Sequence, residues 1–390
     1  MNKTAIRMEH LAPHFFATLS SQIADLTRKG LDVIRLDEGS PDLPPDPHII
    51  SALTAAALRA DNHCYQPHRG TQALRSAWSK MYSRVHRVEL DPETEVLPLL
   101  GSKEGIFHFA QAFINPGDTV LIPDPGYVTY TRSTLMAGGI PITIPLRPDR
   151  SFLPELRSIP PDVARNAKIL WLNYPNNPTA AVATPEFFSE AVAFAREHNL
   201  ILCHDSAYAQ VTYDDYHAPC IFSIPGAKEV VVEFNSLSKS HNMAGWRVGA
   251  VVGNAEILRS FYTLKTNVDS GHFAPIQTAA VEAMTGDQTW LTQRNEIYQY
   301  RRDVLVAGLN KLGLSFSVPK ASLYAWAQVP YGWNGASFSS HALKEGHVSL
   351  TPGIVFGSEG EDYIRISLTA PAERIHMAME RLMAVDWGKI

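Results

Sequence analysis

An α/β fold in two domains is predicted by the length of the chain and by the order of its apolar segments. The chain has 390 residues, too many for one compact core of ordinary size. Between about residues 50 and 284, short apolar strands alternate with helical stretches, which is typical of a mainly parallel sheet covered by helices. We therefore expect a large α/β domain and a smaller α+β domain that share a cleft.

Six apolar segments of the large domain are predicted strands, at residues 119–122, 140–144, 168–172, 200–204, 230–234 and 248–252. One helix is well delimited between them, because Thr184 is suited to the N-cap, Pro185 to the first turn and Asn199 to the end. In the C-terminal part, residues 324–328 and 363–367 are the predicted strands of the smaller domain.

Two segments mark the predicted domain borders. Prolines cluster between Pro41 and Pro47, and a new helical region begins near Gln288, directly after Gly286 and Asp287. We therefore predict that residues 1–47 are the N-terminal segment of the small domain, 48–286 the large domain and 287–390 the C-terminal small domain.

Composition and charge exclude several classes of protein. Apolar residues make up 45% of the chain and charged residues 19%, the balance of a globular protein. A formal net charge of -5 gives no broad basic field, which argues against nucleic acid as a main partner. Three cysteines form neither a disulfide framework nor a zinc ligand set. With no targeting signal and no apolar run of about 20 residues, we expect a cytoplasmic protein without a membrane span.

A lysine follows the predicted strand at 230–234, in a Ser-Leu-Ser-Lys segment that ends at Lys239. Burial beside the strand and nearby cations lower the pKa of such a lysine, so that it can act as a nucleophilic amine. The hydroxyls of Ser236 and Ser238 and the guanidinium of Arg247 are donors suited to a phosphate dianion. Taken alone, a segment of this kind is more often a surface loop.

A second element lies where a predicted helix begins and runs toward Phe113. Gly101, Ser102 and Lys103 open this helix, and the free backbone N–H groups of a first turn favour an anion. Gly101 allows a ligand to approach closely. The simpler interpretation of this element alone is a plain helix cap.

The third element is Asp205, with Tyr208 three residues later. Asp205 follows the predicted strand at 200–204, and the carboxyl ends of parallel strands face the crevice where α/β sheets bind ligands. A carboxylate there can pair with a protonated ring nitrogen of a cofactor. By itself, an aspartate at the end of a strand is as often a helix cap.

The fourth element is the segment 173–179, with the sequence Asn-Tyr-Pro-Asn-Asn-Pro-Thr, after the predicted strand at 168–172. Asn177 precedes a proline, which holds its backbone extended and allows its amide to be aimed at a ring hydroxyl. A random loop rarely contains Pro-Asn-Asn-Pro in this order. The alternative is a rigid turn that binds nothing.

These four elements, in this order, resemble the class I/II aminotransferases of the fold-type I superfamily, which depends on pyridoxal 5'-phosphate (PLP). The resemblance extends over nearly the whole chain, with further matching segments at 36–42, 65–67, 124–127 and 363–367. It implies an aspartate aminotransferase-like fold, in which the large domain binds PLP and the small domain joins the N-terminal segment to the C-terminal part. It also implies an enzyme that moves an amino group between an L-amino acid and a 2-oxo acid.

The resemblance implies a role for each matching residue. Lys239 would carry the cofactor as a Schiff base and move the substrate proton, while Asp205 would keep the pyridine nitrogen protonated. Tyr208 and Asn177 would bind the ring oxygen, and Tyr127 would stack on the ring. The residues implied to hold the phosphate are Ser102, Lys103 through its backbone N–H, Ser236 and Arg247.

Substrate and subunit contacts follow from the same resemblance. Arg365 would bind the α-carboxylate of the substrate, with Asn177 beside it and Gly39 closing over it from the N-terminal segment. Tyr65 would reach the phosphate of a partner subunit, which implies a homodimer with shared active sites.

Within the superfamily, the segments 124–127, 320–326 and 351–353 look closest to the LL-diaminopimelate and alanine aminotransferase branch. LL-diaminopimelate, alanine or aspartate, with 2-oxoglutarate as acceptor, are therefore the expected substrates. Glu38 departs from the family pattern, and we expect it either to face a distal ammonium of the substrate or to pair with Arg35 or solvent.

Two other kinds of function share the same cofactor motifs. A C–S lyase or a decarboxylase on this fold would contain the same lysine, carboxylate and phosphate groups, and only its products would differ. A PLP-binding regulator usually has an added DNA-binding domain, for which the short N-terminal segment leaves no room.

Several charged residues are assigned to other roles. The fifteen histidines lack the spacing that places two metal ligands on one helical face, so no metal is expected. His241 is interpreted as packing in its loop or lying near the cofactor. The charged residues predicted to form a solvated helical face are Arg294, Glu296, Arg301, Arg302 and Asp303.

Overall fold

The computed structural model describes residues 4–11 and 15–388. Its strands are β1 (Ile34–Arg35), β2 (Val96–Leu99), β3 (Thr119–Asp124), β4 (Ile140–Pro145), β5 (Ala167–Asn173), β6 (Ile201–Asp205), β7 (Val231–Ser236), β8 (Gly249–Gly253), β9 (Ser315–Phe316), β10 (Tyr324–Gln328), β11 (Val348–Ser349), β12 (Thr351–Pro352) and β13 (Tyr363–Ser367).

The α-helices are α1 (Phe15–Arg28), α2 (Pro47–Ala57), α3 (Gln72–His86), α4 (Ser102–Phe113), α5 (Thr129–Met136), α6 (Pro161–Asn166), α7 (Pro185–Glu197), α8 (Ala227–Val230), α9 (Leu237–Ser240), α10 (Ala255–Lys265), α11 (Ala274–Thr285), α12 (Thr289–Lys311), α13 (Gly335–Gly346) and α14 (Ala372–Ala384). Short 3-10 helices lie at Ile6–His10, Ala60–His63, Pro148–Arg150, Leu156–Ser158, Ile221–Ser223, Ala244–Trp246, Gly353–Phe356 and Ser358–Gly360. No helix in the described part of the chain is both long and apolar enough to cross a membrane.

The large sheet has seven strands in the order β2-β8-β7-β6-β5-β3-β4. Neighbours from β7 to β4 pair in parallel, and only β8 runs antiparallel to both of its neighbours. The mainly parallel sheet and its six predicted strands are confirmed, with ends that differ by one or two residues. Strand β2 was not predicted, because Pro98 lies within it and proline normally argues against an interior strand.

Helix α7 shows how local sequence fixes an element that packs on this sheet. The Thr184 side chain accepts a hydrogen bond from the Phe187 backbone N–H at 3.3 Å, and Pro185 occupies the first helical position. Phe188 and Val192 are buried on the face toward the sheet. Asn199 follows the helix with φ of 54°, a left-handed conformation that ends it.

The smaller sheet has four antiparallel strands in the order β12-β13-β10-β9. The N-terminal segment joins this part of the chain because β1 pairs in parallel with β11, with Ile34 opposite Val348. The predicted α+β unit is therefore built from both ends of the chain. The border residues 47 and 286 stay a prediction, and residues 1–3, 12–14 and 389–390 of the predicted domains lie outside the described residues.

Helix α12 contacts the cores of both sheets. Trp290 belongs to the apolar core of the large sheet, whereas Tyr298 and Leu305 belong to that of the small sheet. The helix is therefore enclosed on several sides although its sequence is polar.

The prediction of a solvated charged face on α12 is wrong for its three arginines. Arg294, Arg301 and Arg302 are all buried. The Arg301 guanidinium pairs with Asp42 at 2.7 Å, and that of Arg302 pairs with Asp214. The charge pattern shows which positions of a helix are charged but not how many sides of the helix other elements cover. The sequence therefore did not show that these arginines are buried in ion pairs.

Candidate active site

A cavity of about 250 Å³ lies at the carboxyl edge of the large sheet, where β5 and β6 end, facing the small sheet. This is the edge at which open α/β sheets bind ligands. Its lining residues are Phe16, Gly39, Ser102, Lys103, Tyr127, Val128, Asn173, Asn177, Asp205, Ala207, Tyr208, Lys239, Tyr324, Phe356 and Arg365. Nine of these are residues that the sequence predicts for the site, namely Gly39, Ser102, Lys103, Tyr127, Asn177, Asp205, Tyr208, Lys239 and Arg365.

Lys239 reaches the cavity from α9, a single helical turn that begins directly after β7. Its amino group donates a hydrogen bond to the backbone carbonyl of Gly39. Burial lowers the pKa of the Lys239 amine, and the positive charges of Arg365 and Arg247 lower it further, against an opposing effect of Tyr324. Both effects make this amine easier to deprotonate than an exposed lysine, as a nucleophilic amine requires.

Asp205 is the last residue of β6, and one of its two carboxylate oxygens has no hydrogen-bond partner. Its Oδ2 accepts a hydrogen bond from the Tyr130 hydroxyl at 2.8 Å, whereas its buried Oδ1 has no partner. Burial raises the pKa of Asp205 to about 6, although Tyr130 and His204 act in the opposite direction. A cationic N–H donor in the cavity would satisfy Oδ1 and favour the ionised carboxylate. The protonated nitrogen of a pyridine ring is such a donor.

The N-terminus of α4 forms an anion site on another side of the cavity. Gly101 precedes the helix with φ of 87°, and a Cβ atom there would collide with the Arg247 guanidinium. Burial lowers the pKa of the Lys103 amine, as do the charges of Arg132 and Arg247. Within the described residues none of these three cations pairs with a carboxylate. The free helix end and the Arg247 guanidinium suit a phosphate dianion, which leaves the Lys103 amine for another anion.

Arg365 lies on β13 at the side of the cavity that faces the small sheet. Its Nη1 donates to Asn177 Oδ1 at 2.9 Å and its Nη2 to the Asp37 carbonyl at 2.9 Å, while its Nε has no partner. The guanidinium lies 4.1 Å from the centre of the Tyr324 ring and 4.7 Å from that of Phe356. Arg365 thus offers a fixed charge and a spare N–H group to a carboxylate.

Some predicted residues do not line the cavity. The Ser236 hydroxyl accepts from the Ser238 N–H at 3.1 Å and donates to the Val248 carbonyl at 3.3 Å, so it caps α9. Arg247 lies behind Gly101 and donates to the Ser238 hydroxyl at 3.4 Å. Tyr65 is 93% exposed and lies outside the cavity of its own chain.

Glu38 does not occupy a side-chain pocket. Its carboxylate pairs with Arg35 at 2.7 Å, and the side chain is 46% exposed. The hypothesis that Glu38 faces a distal ammonium of the substrate is therefore wrong in this structure, and the alternative of pairing with Arg35 holds. The sequence alone allowed either role for Glu38, because the oppositely charged Arg35 lies only three positions before it.

His241 packs in its loop. Its Nδ1 lies 2.9 Å from the Ser240 hydroxyl, and its ring contacts Trp290 edge-on. Burial lowers the pKa of His241 to about 3, with a further contribution from Arg294. The residue is therefore a neutral part of the packing between α9 and α12 and does not line the cavity.

Sequence reasoning missed several residues that shape the site. Tyr130 holds Asp205, and the Tyr324 hydroxyl lies 2.9 Å from that of Tyr208. Phe16 and Phe356 flank the Arg365 guanidinium. Tyr130 could have been suspected, because it lies one helical turn after Tyr127 on α5, but nothing local to Phe16 in the sequence points to the site.

A buried polar network fixes the strands beneath Asp205. His204 and Glu233 are opposite one another on β6 and β7, and His204 Nδ1 lies 2.7 Å from the Glu233 carboxylate. The other imidazole nitrogen lies 3.1 Å from the Tyr174 carbonyl, and the Tyr82 hydroxyl donates to Glu233 at 2.5 Å. Since these groups are paired and fully enclosed, the strand ends that present Asp205 cannot slide past one another without breaking several buried hydrogen bonds.

One group of possible metal ligands lies near the start of α4. Ligand atoms of Glu104, His108 and Asp269 lie within 4.8 Å of one another. The Lys265 ammonium lies among them, 2.7 Å from Asp269 and 3.7 Å from Glu104. Because this ammonium already balances the carboxylates, we assign no metal to the group.

These groups together define the class of enzyme. A buried lysine amine, a carboxylate with a free oxygen and an anion site at a helix N-terminus fit the aldehyde, the pyridine nitrogen and the phosphate of PLP. The fold and the site are therefore those of a PLP-dependent enzyme of fold type I.

The family follows from comparison with known proteins. The model of the family described as aminotransferase class I and II matches residues 31–382. The chain therefore belongs to this family, and it is a PLP-dependent aminotransferase. The predicted family, cofactor and class of enzyme are confirmed.

Individual relatives agree with this assignment. The chain is 47% identical over 386 residues, 99% of each chain, to the LL-diaminopimelate aminotransferase of Moorella thermoacetica. The structure of substrate-bound BacF from Bacillus subtilis has a TM-score of 0.96 and 36% identity, and covers 100% of both chains. A mutant aspartate aminotransferase from Thermus thermophilus has a TM-score of 0.92 and 26% identity over 99% of this chain and 100% of its own.

Proposed function

We propose that the protein transfers the amino group of LL-diaminopimelate to 2-oxoglutarate. The observation that supports this most directly is the cavity itself, which offers Arg365 to one carboxylate and leaves Lys103 free for a second. The name of the Moorella relative, which is similar over nearly its entire length, points to the same substrate.

The roles of the cavity residues follow from their contacts. Bound PLP supplies an electron sink that stabilises negative charge at the substrate Cα. Lys239 would hold the cofactor and would then move the proton at Cα, because burial lowers the pKa of its amine. Asp205 would keep a proton on the ring nitrogen through its Oδ1, which has no partner in the protein. We therefore assign Lys239, Asp205 and Tyr208 as the catalytic residues.

Further residues would hold the ring and the phosphate. The Asn177 Oδ1 accepts a hydrogen bond from Arg365, which leaves the Nδ2 amide of Asn177 to donate to the ring oxygen, beside the Tyr208 hydroxyl. Tyr127 lines the cavity and packs edge-on against Tyr130 at 5.6 Å, a position suited to stacking on the ring. The residues proposed for the phosphate are Ser102, Lys103 through its backbone N–H, Ser236 and Arg247, with Tyr65 from a second subunit. The Ser236 hydroxyl would have to turn away from the Val248 carbonyl, to which it donates here, in order to reach the phosphate.

Two cations divide the proposed substrate between them. Arg365 binds the α-carboxylate, beside Asn177 and beneath the Gly39 segment. The Lys103 amine lines the cavity without an acidic partner among the described residues, and its backbone N–H remains free for the phosphate. A distal carboxylate would therefore meet the Lys103 amine.

A panel of donors tests the proposed substrate. L-lysine is the matched control for LL-diaminopimelate, because it lacks only the distal carboxylate. We expect kcat/KM for LL-diaminopimelate to exceed that for L-lysine by roughly 30-fold or more, since an unpaired charge partner costs about 2 kcal/mol or more. Cofactor absorbance in single half-reactions measures both donors, with alanine and aspartate beside them.

The same panel separates the alternatives. One glutamate should form from 2-oxoglutarate for each donor consumed. Release of carbon dioxide without glutamate would identify a decarboxylase, and release of a thiol from L-cystathionine, added to the panel, would identify a C–S lyase; either result would overturn the proposal. Equal rates with L-lysine and LL-diaminopimelate would remove the role of Lys103 but not the transaminase assignment.

The panel also tests Arg365. In Arg365→Lys the ammonium cannot reproduce two parallel N–H···O bonds, so KM should rise about 10- to 100-fold for every donor and acceptor while PLP stays bound. Arg301→Lys is the control, because Arg301 is equally buried but pairs with Asp42. An Arg365 variant that changes only PLP affinity would contradict the assignment.

A homodimer with shared sites is the proposed assembly, and the cytoplasm the proposed location. Tyr65 supports the first, because it is exposed and cannot reach the cavity of its own chain. Three free cysteines, two of them buried, suit a reducing compartment.

Mixing two impaired variants tests the shared site. Tyr65→Ala and Lys239→Ala should each be impaired at limiting PLP, and an equal mixture, after exchange of subunits, should recover about one quarter of wild-type sites, because one site of each heterodimer is intact. Tyr331→Ala, at a tyrosine of similar exposure, is the control. No recovery in the exchanged mixture would show that Tyr65 does not act on a partner.

A further inference from the structure

Arg294 is a buried arginine without an acidic partner. It lies on the second turn of α12 and is 2% exposed. In the described part of the chain no carboxylate pairs with it. Burial lowers its pKa to about 10, so it still carries a full charge at neutral pH. Since an unpaired buried guanidinium is costly, its position calls for a compensating role.

The guanidinium is satisfied by backbone carbonyls beside the cavity. Its Nη1 donates to the Ser240 carbonyl and, at 3.2 Å, to that of Lys239. Its Nη2 donates to the Gln210 carbonyl at 2.7 Å. One side chain thus joins the end of α9, which presents Lys239, to the segment that follows Tyr208.

Asn295 fixes the fork from the other side. Its Oδ1 accepts from Arg294 Nη2 at 2.7 Å and from Nε at 3.2 Å, and its own amide donates to the Gln210 carbonyl at 3.2 Å. These contacts fix the guanidinium in one orientation, in which its N–H groups point at all three carbonyls.

The neighbouring arginines of α12 show that burial alone does not explain these contacts. Arg301 and Arg302 are also buried, but each forms an ion pair with a carboxylate, Arg301 with Asp42 and Arg302 with Asp214. Of the three, only Arg294 gives its donors to the backbone of a residue that lines the cavity.

We propose that Arg294 is a positioning residue for Lys239, which it holds in register with the Asp205–Tyr208 segment. The lysine side chain has four flexible methylene groups, so the place its amine reaches depends on how firmly its backbone is held. A displacement of about 1 Å can cost roughly 100-fold in rate. This inference rests on the proposed role of Lys239.

Substitution of Arg294 should separate kcat from KM. Arg294→Lys keeps the charge but cannot span three carbonyls, and Arg294→Gln removes the charge as well. Both should lower kcat about 10- to 100-fold per PLP-loaded site while KM for donor and acceptor stays within about twofold, because Arg365 is untouched. Asn295→Ala, at a partly exposed position, should lower kcat by a smaller factor, about threefold.

Arg302→Lys is the matched control on the same helix. It should lower the melting temperature but leave kcat per loaded site unchanged, because Arg302 does not contact α9. A kcat within twofold of wild type in Arg294→Lys would overturn the proposal. If that variant does not fold, a wild-type kcat in Asn295→Ala would overturn it instead.

Borohydride reduction and peptide mapping keep the two proposals apart. In wild-type protein and in Arg294→Lys the label should appear on Lys239. A label elsewhere in the wild type would refute the role of Lys239, and Arg294 would lose its target. A label on Lys239 with unchanged kcat in the Arg294 variants would refute the positioning role alone.

Discussion

Asp205→Asn should stabilise the protein without PLP at neutral pH and at the same time slow its turnover by orders of magnitude. Burial raises the pKa of Asp205 to about 6 from an ordinary 3.8, because the folded state penalises the charged form. The folded protein therefore binds more protons than the unfolded chain between these two values, and stability falls as pH rises through them. At pH 7 the cost is about 3 kcal/mol at most.

Asparagine removes this cost because it has nearly the same shape and no charge. The same substitution removes the carboxylate that would hold a proton on the ring nitrogen, so loss of Cα proton abstraction should be large. Chemical denaturation of the protein without PLP at pH 4 and pH 7 measures the first effect, with a gain at pH 7 only. Single half-reactions with PLP measure the second.

Asp124→Asn is the matched control. Asp124 also ends a strand of the large sheet and is buried, but its oxygens accept from the Ser358 hydroxyl at 2.9 Å and from two backbone N–H groups. Its replacement should destabilise the protein. A stability gain in Asp205→Asn that does not depend on pH, or near-normal turnover, would contradict the role of Asp205.

Lys239→Ala should abolish attachment of PLP and reduce turnover by about 10⁴-fold or more, since one side chain supplies both the nucleophile and the proton carrier. In the wild type, borohydride should fix the cofactor on Lys239. Lys103→Met is the control, because Lys103 is the other lysine that lines the cavity, and it should leave the label on Lys239. A label on Lys103 or on Lys265 would end the assignment.

The strands and much of the site were predictable because both depend on local order in the sequence. Apolar segments of four or five residues predicted the parallel strands. Asp205 follows one of them directly, and Asn177 lies in the segment 173–179 that follows another. Parallel strands bring their carboxyl ends to one edge, so residues far apart in number meet there without further information.

The residues that were missed depend on contacts between distant segments. Tyr324 meets Tyr208 across 116 positions, and Phe16 reaches Arg365 from α1. No periodicity records such a contact. Arg294 was misassigned for the same reason, because its surroundings are carbonyls of other segments and not charges in its own helix.

Helix α12 also determines how the two sheets can move. Trp290 and Leu305 anchor it in different cores. They are 15 positions apart, which corresponds to about 22 Å along an α-helix, and the hydrogen bonds of the helix keep this length constant. We therefore expect relative motion of the two cores to be a rotation about this helix and not an increase in their separation. Arg294 lies only four residues from Trp290, which anchors the helix in the large core. Such a rotation would therefore displace Arg294 and Lys239 least.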